Sequence, residues 1–274
     1  MNALAIAGAH EVQALVMTGY GLNCEAETCA ALTLVGATVR ARHVADVIAD
    51  PHALDGIHLL VFIGGFSFGD HIASGRVFAN RLRFRMGERL LRFVEDGGLC
   101  LGICNGFQTM VKLGLLPRLE PGLKQRVSLV ANDRLGYWDA WVRLAVDPLS
   151  PCVFTRALPP VIELPSRHGE GKLVFETEEL RQVAEDMHLI PVRYADASGQ
   201  PTEVWPDNPD GSPGGAAGLC DPTGRIFGLM PHPEAYLYPE NHPHWIAQRE
   251  AGTLPAHGLG LHLLAGGVRA VLRG

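Results

Sequence analysis

The sequence predicts a doubly wound α/β fold: an open, mostly parallel sheet with helices on both faces and a small antiparallel addition. Three observations carry this. Apolar runs of strand length recur at residues 12–17, 57–63 and 99–101, separated by segments of helical character. The run at 57–63, Ile-His-Leu-Leu-Val-Phe-Ile, is nearly continuous, as in a strand buried on both faces. Glycine-rich turns follow the second and third runs directly, where a parallel sheet presents the carboxyl ends of its strands.

Taken in order, residues 12–17 give the first strand and residues 18–23 a glycine-containing loop. Asn23 is placed to cap the next helix, with Glu25 and Glu27 in its first turn, where the helix dipole favours acid. That helix runs to about Val35 and ends at Gly36. Residues 38–44 read as a second strand, and a polar connection containing Pro51 leads to the third at 57–63. Gly64-Gly65-Phe66-Ser67-Phe68-Gly69-Asp70 follows. Its glycines let backbone amides approach a ligand, but the Gly-Lys-Ser/Thr ending of a phosphate-cradling loop is absent. On the glycines alone it is an ordinary strand-to-helix turn. Residues 77–94 form a long amphipathic helix in which Arg81, Arg83, Arg85, Arg89 and Arg92 make a solvated basic face, or one that docks an acidic partner.

The stretch 97–108 is the centre of the chain. A short buried strand at 99–101 runs into Gly102-Ile103-Cys104-Asn105-Gly106 and then a helical segment at 107–113. This is the nucleophile-elbow pattern with cysteine in place of serine. The turn is tight enough that its flanking positions must be small. The helix behind it offers amides and a dipole that favour a thiolate. Cys104 alone is as readily a small buried hydrophobe as a nucleophile, and Cys100, with no elbow, reads as core.

In the second half, residues 126–146 alternate like two antiparallel strands around a turn at Asn132-Asp133. A strand at 161–164 leads to the charged, glycine-rich block 166–172. Thr177 caps a helix to residue 186, and a strand follows at 190–194. The turn-rich loop 206–217 reads as a surface excursion. Residues 217–220 and 225–230 make a hairpin. Pro231-His232-Pro233-Glu234 then reads as extended chain, which turns His232 and Glu234 to one side. His242 and His244 are too few donors for a metal on their own. A last helix at 258–272 is broken by Gly266-Gly267. The whole, residues 1–274, reads as one domain with a helical extension from about 236 to 274.

Composition agrees. The 274 residues are 47% hydrophobic and 19% charged with a formal charge of −6, a globular balance with no basic stripe for nucleic acid. Residues 1–10 lack a basic leader, no apolar run reaches membrane length, and the six cysteines show no pairing pattern. Free thiols in a reducing cytoplasm are the default expectation.

A cysteine on an elbow needs a base and a group that orients the base. His232 and Glu234 fit those roles, and the amides of Asn105 and of the Gly64-Gly65-Phe66 loop fit an oxyanion hole. At this point the chain resembles a known family. Gly65-Phe66-Ser67-Phe68-Gly69-Asp70, Gly102-Ile103-Cys104-Asn105-Gly106-Phe107-Gln108, His168-Gly169-Glu170-Gly171 and Met230-Pro231-His232-Pro233-Glu234 resemble, in family order, the class I glutamine amidotransferases. Asn105-Gly106-Phe107-Gln108 and the His168 block point within that class to the glutaminase subunits of purine biosynthesis, those of phosphoribosylformylglycinamidine synthases.

The resemblance implies a flavodoxin-like sheet and hydrolysis of L-glutamine through a glutamyl thioester. It makes Cys104 the nucleophile, His232 the base and Glu234 its orienter. Gln108 would contact glutamine, and His168, Gly169 and Glu170 would line the same pocket. It implies no metal or cofactor in this subunit, with ATP and Mg on a partner synthetase subunit, and in many such systems a small accessory subunit. Ala235 departs from the arginine that commonly follows His-Pro-Glu in the family. Without the resemblance, the residues leave open a glutaminase for another amination partner, a cysteine peptidase of the same fold, or a non-enzymatic thiol-sensing interaction subunit.

Overall fold

The apolar runs assemble into one six-stranded sheet, and the computed structural model describes Leu4 and residues 6–273. In chain order the elements are β1 (Gln13–Thr18), α1 (Glu25–Leu34), β2 (Thr38–His43), α2 (Val44–Ala49), β3 (Leu59–Phe62), α3 (Arg76–Glu95), β4 (Leu99–Ile103), α4 (Asn105–Leu113), β5 (Val127–Val130), β6 (Trp138–Val146), β7 (Val161–His168), β8 (Lys172–Phe175), α5 (Glu178–Asp186), β9 (Val192–Ala195), β10 (Gly218–Cys220), β11 (Ile226–Leu229), α6 (Trp245–Glu250) and α7 (Leu259–Arg273). The large sheet has the order β10-β11-β4-β3-β1-β2 and is parallel except for the β10–β11 hairpin.

β3, β4 and β11 are buried along their whole length, so their sequences carry apolar residues or glycine without alternation. β2 lies at the edge and tolerates Arg40 and Arg42. α3 packs on α4 and α1 on α7, and β3 meets both α4 and α7. Two antiparallel pieces complete the molecule, β5 with β8 and the sheet β7-β6-β9. No helix of the described residues is long and apolar enough to cross a membrane.

Several expectations are corrected. The strands at 126–146 do not pair with each other: β5 takes β8, and β6 takes β7 and β9. Asn132 is a clamp between them, donating from Nδ2 to His168 O (3.1 Å) and accepting from Gly171 N (2.8 Å). Residues 206–217 are no surface excursion, because Asn208, Asp210 and Ser212 are buried. Their polar atoms satisfy other buried groups: Asp210 accepts from Tyr194 OH (2.9 Å) and Ser212 Oγ from Leu173 N (2.9 Å).

The connection after β2 holds α2, capped by His43 Nδ1, which accepts from Ala45 N (3.2 Å). Asn23 does not cap α1; Cys24 occupies that position with φ 68°, and the Asn23 amide donates to Gly64 O (2.9 Å). The basic face of α3 is largely committed. Arg83 donates to Lys112 O and Leu113 O at the end of α4, and Arg89 to Val47 O and Ile48 O at the end of α2, where cations complement the helix dipole. α7 is unbroken: Gly266 and Gly267 instead let it approach Phe154, whose carbonyl and ring would stand 2.4 and 2.5 Å from added Cβ atoms.

Candidate active site

Loops from the carboxyl ends of β1, β3, β4 and β11 meet over a cavity of about 470 Å³, walled on its far side by β7 and the loop after it. A larger cavity, about 760 Å³, opens at the other end of the sheet around Ile57, His58 and Leu99 and contains no cysteine.

Cys104 sits between β4 and α4 at φ 51°, ψ −109°, a conformation rare for a residue with a side chain. Its amide donates to Leu229 O (2.9 Å), which fixes the elbow to β11. The flanking glycines are steric necessities. A Cβ on Gly106 would lie 1.9 Å from Phe62 O, and one on Gly102 would lie 2.5 Å from Met110 Sδ and 2.9 Å from Phe107 N. Gly106→Ala must therefore push α4 off β3. We expect a loss of stability of about 3 kcal/mol or more, read as a lowered thermal midpoint, together with loss of activity. An unchanged midpoint would show that the elbow has slack.

His232 and Glu234 reach each other differently from the extended chain expected. Pro233–Ala235 forms a 3-10 turn, and His232 Nδ1 donates to Glu234 Oε1 at 2.6 Å within it. The turn is held on two sides. His232 N donates to Pro165 O of β7 (2.7 Å). α7 lies behind, with Gly260 so close that a Cβ there would stand 1.9 Å from Pro233 O. Burial by itself favours the neutral imidazole, but the charges of Glu234 and Cys104 overcome it and raise His232 well above its ordinary value. Burial likewise pushes Glu234 upward, yet His232 holds it below the usual carboxylate range. The pair is an imidazolium on a carboxylate. His232 Nε2 and Glu234 Oε2 are buried without a hydrogen-bond partner.

Cys104 Sγ lies 3.8 Å from Arg167 O of β7, and Gly64 passes close enough that a Cβ would lie 3.0 Å from His232 Cε1 and 3.6 Å from Cys104 Cβ. In the neighbouring loop the Phe66 amide is spent on Gly21 O (2.9 Å). Among the described residues the amides of Gly65, at φ 134°, and of Asn105 donate to no carbonyl of the surrounding loops, while those of Phe66 and Cys104 beside them are spent.

Asn105 and Gln108 are locked by their neighbours. Asn105 accepts from Ser67 N (3.2 Å) and donates to Asp70 Oδ1 (3.0 Å) and Gln108 Oε1 (2.9 Å). Gln108 Nε2 donates to Glu170 O at 2.5 Å, and Glu170 Oε2 accepts from Ser74 N at 3.2 Å. Burial pushes the Asp70 carboxyl up.

His168 lines the wall with both ring nitrogens engaged, Nδ1 to Asn132 Oδ1 (3.2 Å) and Nε2 to Ser166 Oγ (3.0 Å). Burial first, and then the charge on His232, push it down to about 3, so it stays neutral. Gly169 O accepts from Asn132 N (2.9 Å).

The cavity thus gathers Cys104, His232, Gly65, Phe66, Gln108, His168, Gly169 and Glu170; Asn105, Gly64 and Glu234 stand directly behind. Sequence reasoning gave no site role to Glu27, Asp70, Ser74, Tyr137 or Arg167, which also line it, and placed Cys24, another lining residue, only in an Asn23-Cys24 pair that resembles the family's N-terminal motif. Asp70 and Arg167 lay inside blocks flagged for glycine and charge. Nothing local marks Tyr137. Among the described residues, the one group of His, Cys and acidic donors close enough to share a cation is Cys24, His232 and Glu234.

Comparison with known proteins agrees with this geometry. The CobB/CobQ-like glutamine amidotransferase domain matches residues 11–262. The phosphoribosylformylglycinamidine synthase subunit PurQ of Dehalococcoides mccartyi is 39% identical over 239 residues, covering 87% of this chain and 91% of its own. Human phosphoribosylformylglycinamidine synthase is 34% identical over 238 residues, 80% of this chain but 17% of that larger one. The structure of PurLQS from Thermotoga maritima matches with a TM-score of 0.69 at 26% identity, covering 94% of this chain and 98% of the matched one. The chain therefore belongs to the glutamine amidotransferase family, as a member of its PurQ branch.

Proposed function

We propose that Cys104, His232 and Glu234 carry the glutaminase reaction of this subunit, which releases ammonia from L-glutamine for a partner synthetase that aminates formylglycinamide ribonucleotide. One observation supports the triad above all: a buried imidazolium, pinned by Glu234 at 2.6 Å, shares its cavity with a cysteine on a strained elbow. Cys104 Sγ attacks the side-chain amide carbon, and its proton resides on His232. The amides of Gly65 and Asn105 receive the oxyanion. His232 protonates the departing ammonia, then takes a proton from the water that hydrolyses the thioester. Residues 1–274 act as one amidotransferase unit, with α7 part of its body. The subunit needs no cofactor; ATP and Mg act on the synthetase, a small accessory subunit completes the assembly, and the setting is the cytoplasm.

Arg167 lines the cavity, and its positive charge is felt at Cys24, Tyr137 and Glu234. It suits the α-carboxylate of glutamine, while Glu27 and Glu170 suit the α-ammonium. Arg167→Ala should raise KM for glutamine about tenfold or more with kcat less affected. An unchanged KM would remove Arg167 from substrate binding.

The test of the whole reading is ammonia release from L-glutamine, by the subunit alone and with a synthetase partner, ATP and formylglycinamide ribonucleotide. Release should rise with the complete mixture. Release indifferent to the partner would keep the glutaminase and discard this acceptor. Cleavage of peptides instead would discard both.

A further inference from the structure

One wall of the cavity is a closed ring of hydrogen bonds. Asp70, Ser74, Gln108 and Glu170 line the cavity, and Asn105 lies behind Gln108. Asn105 Nδ2 donates to Asp70 Oδ1 (3.0 Å) and to Gln108 Oε1 (2.9 Å). Gln108 Nε2 donates to Glu170 O (2.5 Å), and Glu170 Oε2 accepts from Ser74 N (3.2 Å). The next amide, Gly75 N, donates back to Asp70 Oδ1 (3.2 Å). The ring ties together three segments far apart in sequence: the loop after β3, the first turn of α4 and the loop after β7.

Asp70 reaches this place through strained backbone. Phe68, Gly69 and Asp70 stand in succession at φ 55°, 67° and 51°, and only the glycine adopts that region freely. Gly75 is pressed onto α4, where a Cβ would stand 2.7 Å from Thr109 N. Asn105 is fully buried, and its Oδ1 accepts from Ser67 N (3.2 Å). With a donor on one side and the Asp70 carboxyl on the other, the Asn105 amide can face only one way. That in turn fixes Gln108, whose Oε1 must face Asn105 and whose Nε2 must face Glu170 O. Among the described residues, one N–H and one Oε1 lone pair of Gln108 stay uncommitted.

We propose that Asp70 is a positioning residue for glutamine binding, which acts through Asn105 to hold the Gln108 amide with its remaining donor and acceptor toward the substrate. The proposal rests on the cavity being the glutamine site. Without the Asp70 carboxyl, a buried Asn105 N–H loses its acceptor, and the two linked amides lose the group that sets their direction.

Asp70→Ala should raise KM for glutamine about tenfold or more, with kcat changed less than about threefold. Asp70→Asn keeps an acceptor oxygen in the same place and should recover most of the loss. Asp70→Gly is the second truncation, because glycine takes φ 51° without strain; circular dichroism checks the folding of each. On an Asn105→Ala background, where the link is already cut, Asp70→Gly should add less than about a twofold change in KM. Unchanged KM in a folded truncation, no recovery by Asp70→Asn, or full additivity with Asn105→Ala each overturns the proposal. A readout without substrate separates it from the glutaminase reading. The Gln108 side-chain amide signal in nuclear magnetic resonance, identified by its loss in Gln108→Glu, should exchange slowly with solvent and lose that protection in Asp70→Gly. If glutamine is neither bound nor hydrolysed, the functional reading fails and the substrate half of the proposal with it. Protection that survives Asp70→Gly shows that Asp70 does not hold Gln108, whatever the cavity binds.

Discussion

Cys104→Ala should lower ammonia release from glutamine by about 10³-fold or more while leaving the fold intact. The size follows from the position. Among the described residues no other cysteine stands directly between a strand and the helix that follows it. Alanine keeps the Cβ and removes one sulfur atom, so the change costs little packing and the thermal midpoint should stay near that of the unmodified chain. Cys104→Ser keeps the shape but replaces the thiol with a poorer nucleophile, and should lie between the two. A Cys104→Ala chain that keeps a tenth or more of its turnover, assayed after purification away from contaminating glutaminases, would end the triad reading.

Glu234→Gln should be the next largest. The carboxylate is the largest of the influences that overcome burial and raise His232; an amide of the same shape retains a hydrogen bond but not the charge. kcat/KM should fall about 10²-fold or more. The sign of the pH effect follows from the raised folded value of His232. With Glu234 present the imidazolium persists to higher pH than in an ordinary histidine, so the glutamine variant should move the basic limb of the rate profile to lower pH. A profile that keeps its basic limb would show that Glu234 orients His232 without tuning it.

The parallel sheet and its elbow were legible because strand burial and close backbone contact leave few residue choices. β3 had to be apolar throughout, and Gly102 and Gly106 had to lack side chains. The pairing of 126–146 was not legible, because alternation reports which face is buried and says nothing about which strand lies alongside. The 206–217 loop misled for a related reason. Asp, Asn and Ser usually mark exposed turns, yet Asp210 and Ser212 serve here as internal hydrogen-bond partners for Tyr194 and Leu173. At the site, residues 232 and 234 could be placed side by side from sequence. The 3-10 turn joining them could not, since prolines permit both geometries. Arg167 and Tyr137 reach the cavity from β7 and from the loop before β6, contacts set by tertiary folding that no local pattern announces.

The seat of His232 and Glu234 is finished by Gly260 and the rest of α7, which follow them in the chain. A ribosome that has long since made Cys104 still holds a polypeptide whose base has nothing to lean on. On the proposed relay, synthesis and activity are thereby put in sequence: a nascent chain carries the thiol but does not spend glutamine until α7 has emerged and docked.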